Sequence, residues 1–234
     1  MTKRGNDGVI YNVRTLRNIA VWNHNGITVR SLGTRPGEKT VFFHFTQGGS
    51  QREMESVYIS SVEAFLNGYD VAYISGLALS SAVEKAAEDT FRGSLYSFLP
   101  KGLESVSSST LSRSLVTGGG AMSIVENDSL YSFEALLGVT YLASSLSAAT
   151  VMCSLSGRRL PVFVDSALNE GKSVCVLKAA LSSPPLRELV RDGAEAVDTF
   201  SSFLSSPVFI SYPKKNGCYG ISSSRWDIMR VRNQ

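Results

Sequence analysis

From residue 40 to residue 204, short apolar runs alternate with stretches of helical periodicity, and no other feature limits the fold of this chain as tightly. Residues 40–45 (TVFFHF) are apolar or aromatic almost throughout, as a strand buried on both faces requires. Residues 53–66 then carry Met54, Val57, Tyr58, Val62, Phe65 and Leu66 at helical spacing, and Asn67-Gly68 follows as a C-terminal cap signal. Strand runs recur at 71–75, 94–99, 121–126, 148–155 and 173–177. Helical patterns fall between them. Ser80 or Ser81 is expected to cap one, with Glu84 placed to close a capping box on Ser81. Residues 133–146 read as a largely buried helix, and 161–171 as a helix ending at Gly171. Pro184-Pro185 is expected to impose an extended or turn segment. Residues 186–197 read as a short helix, a glycine turn and a brief strand, and 198–204 as a helical turn capped by Asp198. The serine-rich stretch 105–114 gives a weak signal, and Gly118-Gly119-Gly120 demands a turn or loop. Alternation of this kind builds βαβ units, hence an α/β domain with a mostly parallel sheet covered by helices on both faces.

The flanks read differently. Residues 8–35 contain VIYNV, IAVWN and ITVRSL separated by Asn and Gly, which predicts β-hairpins, and 207–226 predicts another. The expected division is a β-rich extension over 1–39, the α/β domain over 40–204 and a basic hairpin or tail over 205–234. Charge follows the same division. Residues 1–40 hold seven basic and two acidic residues, a net of +5; residues 205–234 hold five and one, a net of +4; the body between them is at −6. Basic ends on an acidic body point to a polyanionic partner, or to arms kept soluble by charge. No N-terminal apolar stretch follows a basic start, and no apolar run approaches the roughly 18 residues of a membrane span. Cys153, Cys175 and Cys218 are few and far apart; with only His24 and His44 beside them, a zinc site is not expected. The expectation is a reduced, cytoplasmic protein without metal or cofactor.

Ligands of open parallel sheets sit at the C-terminal ends of the strands. There this sequence places Ser75-Gly76 with Ser80, Lys101-Gly102, and Gly157-Arg158-Arg159. A strand ending on Ser-Gly and opening into a helix can offer backbone N–H groups to a phosphate, or it can be only the corner the fold needs. Two adjacent guanidiniums can grip phosphates in bidentate fashion, or stand solvated. Tyr11, Trp22, Tyr219 and Trp226 lie among basic residues in the flanks, suited to stacking on bases or to pinning the hairpins to the body. No P-loop, GxGxxG or HExxH is present, and neither histidine has a catalytic partner pattern.

In motif order the sequence resembles the DNA-processing protein A (DprA/Smf) family. Ser75-Gly76-Leu77-Ala78 is similar to the start of the family's S-G-x-A-x-G-I-D. LPKGLE (99–104) resembles its Leu-Gly-Thr-Gly-Leu-Asp turn, and LASSLSAATVMC (142–153) its Ile-Ile-Ser-Gly-Leu-Ser stretch. ALNEGKSVCVL (167–177) and LRELVRDGAEAVDTFSSFL (186–204) resemble its closing elements. The resemblance implies a Rossmann-like domain, here with small β-hairpin appendages at both termini. It implies non-enzymatic binding of single-stranded DNA, delivery of that strand to a recombinase, and a homodimer. Departures are several. Phe45-Thr46-Gln47 lacks the family's glycine-arginine phosphate corner, Ser80-Ser81-Ala82 stands for Gly-Ile-Asp, and Val139-Thr140-Tyr141 replaces an arginine-rich segment. Two other readings stay open. TGGGAMSIVE (117–126) loosely resembles the glycine loop of related phosphoribohydrolases, with Glu126 as carboxylate. The chain can also be an interaction scaffold that has lost its ligand.

Overall fold

The computed structural model describes residues 18–46 and 49–205. Among the described residues nine strands form one sheet. These are β1 (Ala20–His24), β2 (Ile27–Gly33), β3 (Thr40–His44), β4 (Asp70–Ile74), β5 (Leu95–Phe98), β6 (Gly120–Ser123), β7 (Ala149–Met152), β8 (Ser173–Leu177) and β9 (Glu195–Val197). Their order is β1-β2-β6-β5-β4-β3-β7-β8-β9. From β6 to β9 every neighbouring pair is parallel. The fold is Rossmann-like, as expected. Strands β3, β7 and β8 are buried along their whole length, which is why they read as continuous apolar runs rather than as alternation.

The chain starts the parallel sheet in the middle, at β3, builds outward through β4, β5 and β6, then returns to the other side of β3 with β7. The strand order therefore reverses between β3 and β7. Helices α1 (Gln51–Leu66), α2 (Ser80–Thr90), α3 (Ser108–Val116) and α7 (Phe200–Leu204) pack together on one face, and α4 (Phe133–Leu146) and α5 (Val162–Asn169) on the other. Alternate residues of β3 serve the two layers: Phe42 meets Phe163 of α5, and Phe43 meets Phe200 of α7. No helix of the described residues is long and apolar enough to cross a membrane.

Local chemistry explains the element ends. Ser50 caps α1 through a reciprocal box with Glu53, and Gly68 follows the helix at φ +77°. The β1–β2 hairpin turns on Asn25 and Gly26, both at positive φ, as a two-residue I′ turn demands. That hairpin pairs onto β6 and so continues the sheet rather than standing apart from it. Four local expectations are corrected. Helix α2 begins at Ser80 with Leu79 at its cap, and Glu84 turns away to Tyr73 and Arg113 instead of closing a box. Pro184 and Pro185 open helix α6 (Pro184–Arg191), where a missing N–H costs nothing and a fixed φ suits the first turn. Thr199, not Asp198, precedes α7; Asp198 pairs with Lys178 instead. Helix α4 is less buried than its composition implies, since Phe133 and Leu137 are exposed. The C-terminal hairpin expected at 207–226 lies outside the described residues, as do residues 1–17.

Candidate functional site

Because β5, β4, β3 and β7 are parallel neighbours, their C-terminal tips share one edge, with the switch point between β3 and β7. Two hydrogen bonds tie the tips at the switch point. Thr46 N–H donates to Ser154 Oγ at 3.3 Å, and Ser156 N–H donates to Thr46 Oγ1 at 2.8 Å. The tips of β4 and β7 stand two strand spacings apart, roughly 10 Å. The three sequence-predicted loops thus lie along a common edge.

At the β4 tip, Ser75 N–H donates to Phe98 O at 3.0 Å, which fixes the end of the ladder. Gly76 follows at φ +86°, exposed, with open space where a Cβ would stand. Its amide and that of Ala78 make no hydrogen bond among the described residues. Ser80 has a different task. Its hydroxyl donates to Ile74 O and accepts from Leu77 N–H, both at 3.0 Å, so it closes the corner from inside. Beneath this corner lies a buried polar network. Tyr73 Oη donates to Glu84 Oε1 at 2.8 Å and accepts from Ser97 Oγ at 2.9 Å, while Arg113 pairs with Glu84 and Glu88. Burial, reinforced by the Glu84 carboxylate, pushes the Tyr73 phenol well above the ordinary range, so it stays a donor.

At the β5 tip, Gly102 is a packing residue. Its N–H donates to Ser129 O at 2.8 Å, and a Cβ would fall 2.1 Å from Asn127 O. Lys101 is half-buried; its carbonyl accepts from Ser123 Oγ, and its ammonium has no partner among the described residues. Gly157, Arg158 and Arg159 are exposed between β7 and α5, and neither guanidinium meets a carboxylate among the described residues. Arg158 lines a cavity of about 540 Å³ between the β7 loop and residues 182–185. That second wall was missed in the sequence, where Pro184-Pro185 signalled only a break.

Other candidates serve structure. Trp22 packs partly buried against the core, donates Nε1–H to Ser31 Oγ at 3.0 Å, and lies under the Arg35 guanidinium at 4.3 Å. It pins the hairpin. His24 bonds Ser145 of α4 at 3.0 Å. Tyr11, Tyr219 and Trp226 fall outside the described residues. His44, at the end of β3, is buried with neither ring nitrogen bonded among the described residues, edge-on to Phe163 at 4.8 Å; burial lowers its pKa to about 3. Burial likewise raises the Cys153 thiol, so it stays protonated and unreactive. Among the described residues no group of three or more His, Cys, Asp or Glu is placed to hold a metal. Gly118–Gly120 leads into the start of β6, at the opposite edge from the strand tips, and Glu126 is paired with Arg30.

No protein-family model and no curated protein matches this sequence. Solved structures do. DNA processing protein A from Streptococcus pneumoniae is similar at 12% identity and TM-score 0.63, over 82% of this chain and 76% of that one. DNA processing protein A from Helicobacter pylori, described for its single-stranded DNA binding mode, is similar at 16% identity and TM-score 0.62, over 80% of this chain and 88% of that one. A molybdenum cofactor binding protein from Rippkaea orientalis is similar at 15% identity and TM-score 0.54, over 75% and 99%. Over four-fifths of its length, then, the chain has the fold of the DNA processing protein A structures, the family its motif order resembles.

Proposed function

We propose that this protein binds single-stranded nucleic acid along the C-terminal edge of its sheet and does no chemistry on it. One observation carries the reading. Lys101, Arg158 and Arg159 stand on the strand-tip edge with no carboxylate partner among the described residues, so their charge is available to an external anion. The amides of Gly76 and Ala78, unbonded among the described residues, add neutral donors on the same edge. The single-stranded DNA binding described for the Helicobacter pylori neighbour supports the choice of ligand. Ser80 and Gly102 contribute by shaping the corners: the Ser80 hydroxyl and the Gly102 amide are both already bonded. The phosphoribohydrolase reading finds less support, since the glycine loop sits at the wrong edge and Glu126 is neutralised by Arg30. In this reading the wider role is DNA processing in the cytoplasm, with a recombinase receiving the strand and a second copy of the chain as partner.

The test is a fluorescence-anisotropy titration with a labelled oligothymidylate at two salt concentrations. Three cations on three phosphates give a log–log slope of about −2, or roughly a twentyfold loss between 50 and 200 mM salt. Absence of binding at low salt rejects the reading.

A further inference from the structure

The cavity beside Arg158 is more than a gap between loops. One wall is the loop after β7, with Leu155, Gly157 and Arg158; the other is Ser183 with Pro184 and Pro185 at the start of α6. Its volume, about 540 Å³, falls within the range of small-molecule sites. Arg158 is among its lining residues, and the guanidinium has no partner among the described residues.

Ser183 supplies the second observation. It is only 7% exposed, and its hydroxyl has no hydrogen-bond partner among the described residues. A serine before a helix ordinarily accepts an N–H from the second or third helical residue. Here the second is Pro185, which has no N–H, and no cap bond to the third forms. A buried hydroxyl left unpaired is costly, and unpaired groups of this kind mark sites completed by something else. Pro184 and Pro185 also remove two amides that would otherwise draw a bare anion to the helix end. What remains is a cation in the lining, an apolar wall of two prolines and Leu155, and a hydroxyl in need of a partner.

We propose that this cavity holds one nucleotide unit, its phosphate on Arg158, its sugar against the prolines and in hydrogen-bond contact with Ser183. Arg159, next along the chain, then faces the following phosphate of a strand. The choice of a nucleotide rests on the nucleic-acid reading above, and it assigns that reading a seat. A strand and a free nucleoside monophosphate share this chemistry.

The experiment separates these sources. A labelled oligothymidylate is bound at low salt and challenged with thymidine 5′-monophosphate, thymidine or inorganic phosphate, using the wild-type chain, Ser183→Ala and Ser182→Trp. Ser182 lies exposed on the cavity rim, so tryptophan there blocks the seat without disturbing the core. The monophosphate is expected to displace the strand, with thymidine and phosphate at least about tenfold weaker. Ser183→Ala should weaken the monophosphate by about two- to tenfold, the worth of one hydrogen bond. Ser182→Trp should abolish its binding. If the strand binds but the monophosphate fails to displace it, and Ser182→Trp binds the strand as the wild type does, the cavity proposal is overturned while the strand-binding reading stands. If no strand binds, that reading falls, and direct titration of the monophosphate by ligand-observed NMR decides the cavity. A signal lost in Ser182→Trp then supports a free-nucleotide seat, and no signal overturns it.

Discussion

Arg158 and Arg159 are exposed, and their side chains make no hydrogen bond or ion pair among the described residues, so removing them tests binding with little effect on the fold. Arg158→Ala with Arg159→Ala should lower the salt slope by about 1.4, two-thirds of the whole, and weaken oligonucleotide affinity at low salt, uniformly across sequences, with an unchanged thermal midpoint. His44 tests the other extreme, full burial. Its folded pKa is about 3, against about 6.5 in the unfolded chain, so between those values the unfolded chain takes up a proton that the folded chain refuses. Stability from this residue is full above about pH 6.5 and is lost as pH falls, by about 2 kcal/mol at pH 5. Urea melts at pH 8 and pH 5 should show that loss in the wild type, reduced by about the same amount in His44→Leu. Equal pH dependence in both proteins contradicts the buried, unbonded imidazole. At this scale the sequence showed which residues carry charge, because Gly157-Arg158-Arg159 is legible as a polar break between apolar runs. It did not show that the Ser80 hydroxyl and Gly102 amide are committed, since their partners, Ile74, Leu77 and Ser129, are set by how the chain turns back on itself.

Helices and strands were legible where periodicity was long. The α4 boundaries at Phe133 and Leu146 follow directly from the pattern. Caps were harder, since several serines compete at each end. At α1, Ser50 and Glu53 answer one another, and Ser50→Ala should destabilise the protein by about 1 kcal/mol in chemical denaturation. At α2, Glu84 sits at the right spacing for a box, but Tyr73 and Arg113 claim it from across the layer. No local pattern reports that competition. It also links elements: Tyr73 on β4, Ser97 on β5, Glu84 on α2 and Arg113 on α3 form one connected set. Tyr73→Phe leaves Glu84 and Ser97 each short of a partner in a buried setting. A loss of about 1–3 kcal/mol is expected, read as a shift in denaturation midpoint without change in slope. A neutral Tyr73→Phe would show that the network carries no weight. Helix α3 was obscured because serine favours caps and turns over helix interiors, while the α3 side chains Leu111 and Ser114 find buried contacts that propensity does not report.

At the scale of the molecule, alternation identified a parallel sheet with two helical layers, but not its strand order. The reversal between β3 and β7, and the continuation of the sheet by the β1–β2 hairpin, depend on pairings between residues far apart in the chain. That order makes the edge: it gathers the β4, β5 and β7 loops on one side and sends Gly118–Gly120 to the other. Photocrosslinking with a halouracil-substituted oligothymidylate, followed by peptide mapping, reads the edge directly. Crosslinked peptides containing residues 75–78, 101 and 156–160 are the predicted result. Crosslinks confined to the opposite edge, at 67–69, 117–119, 147–149 and 171–172, would contradict it.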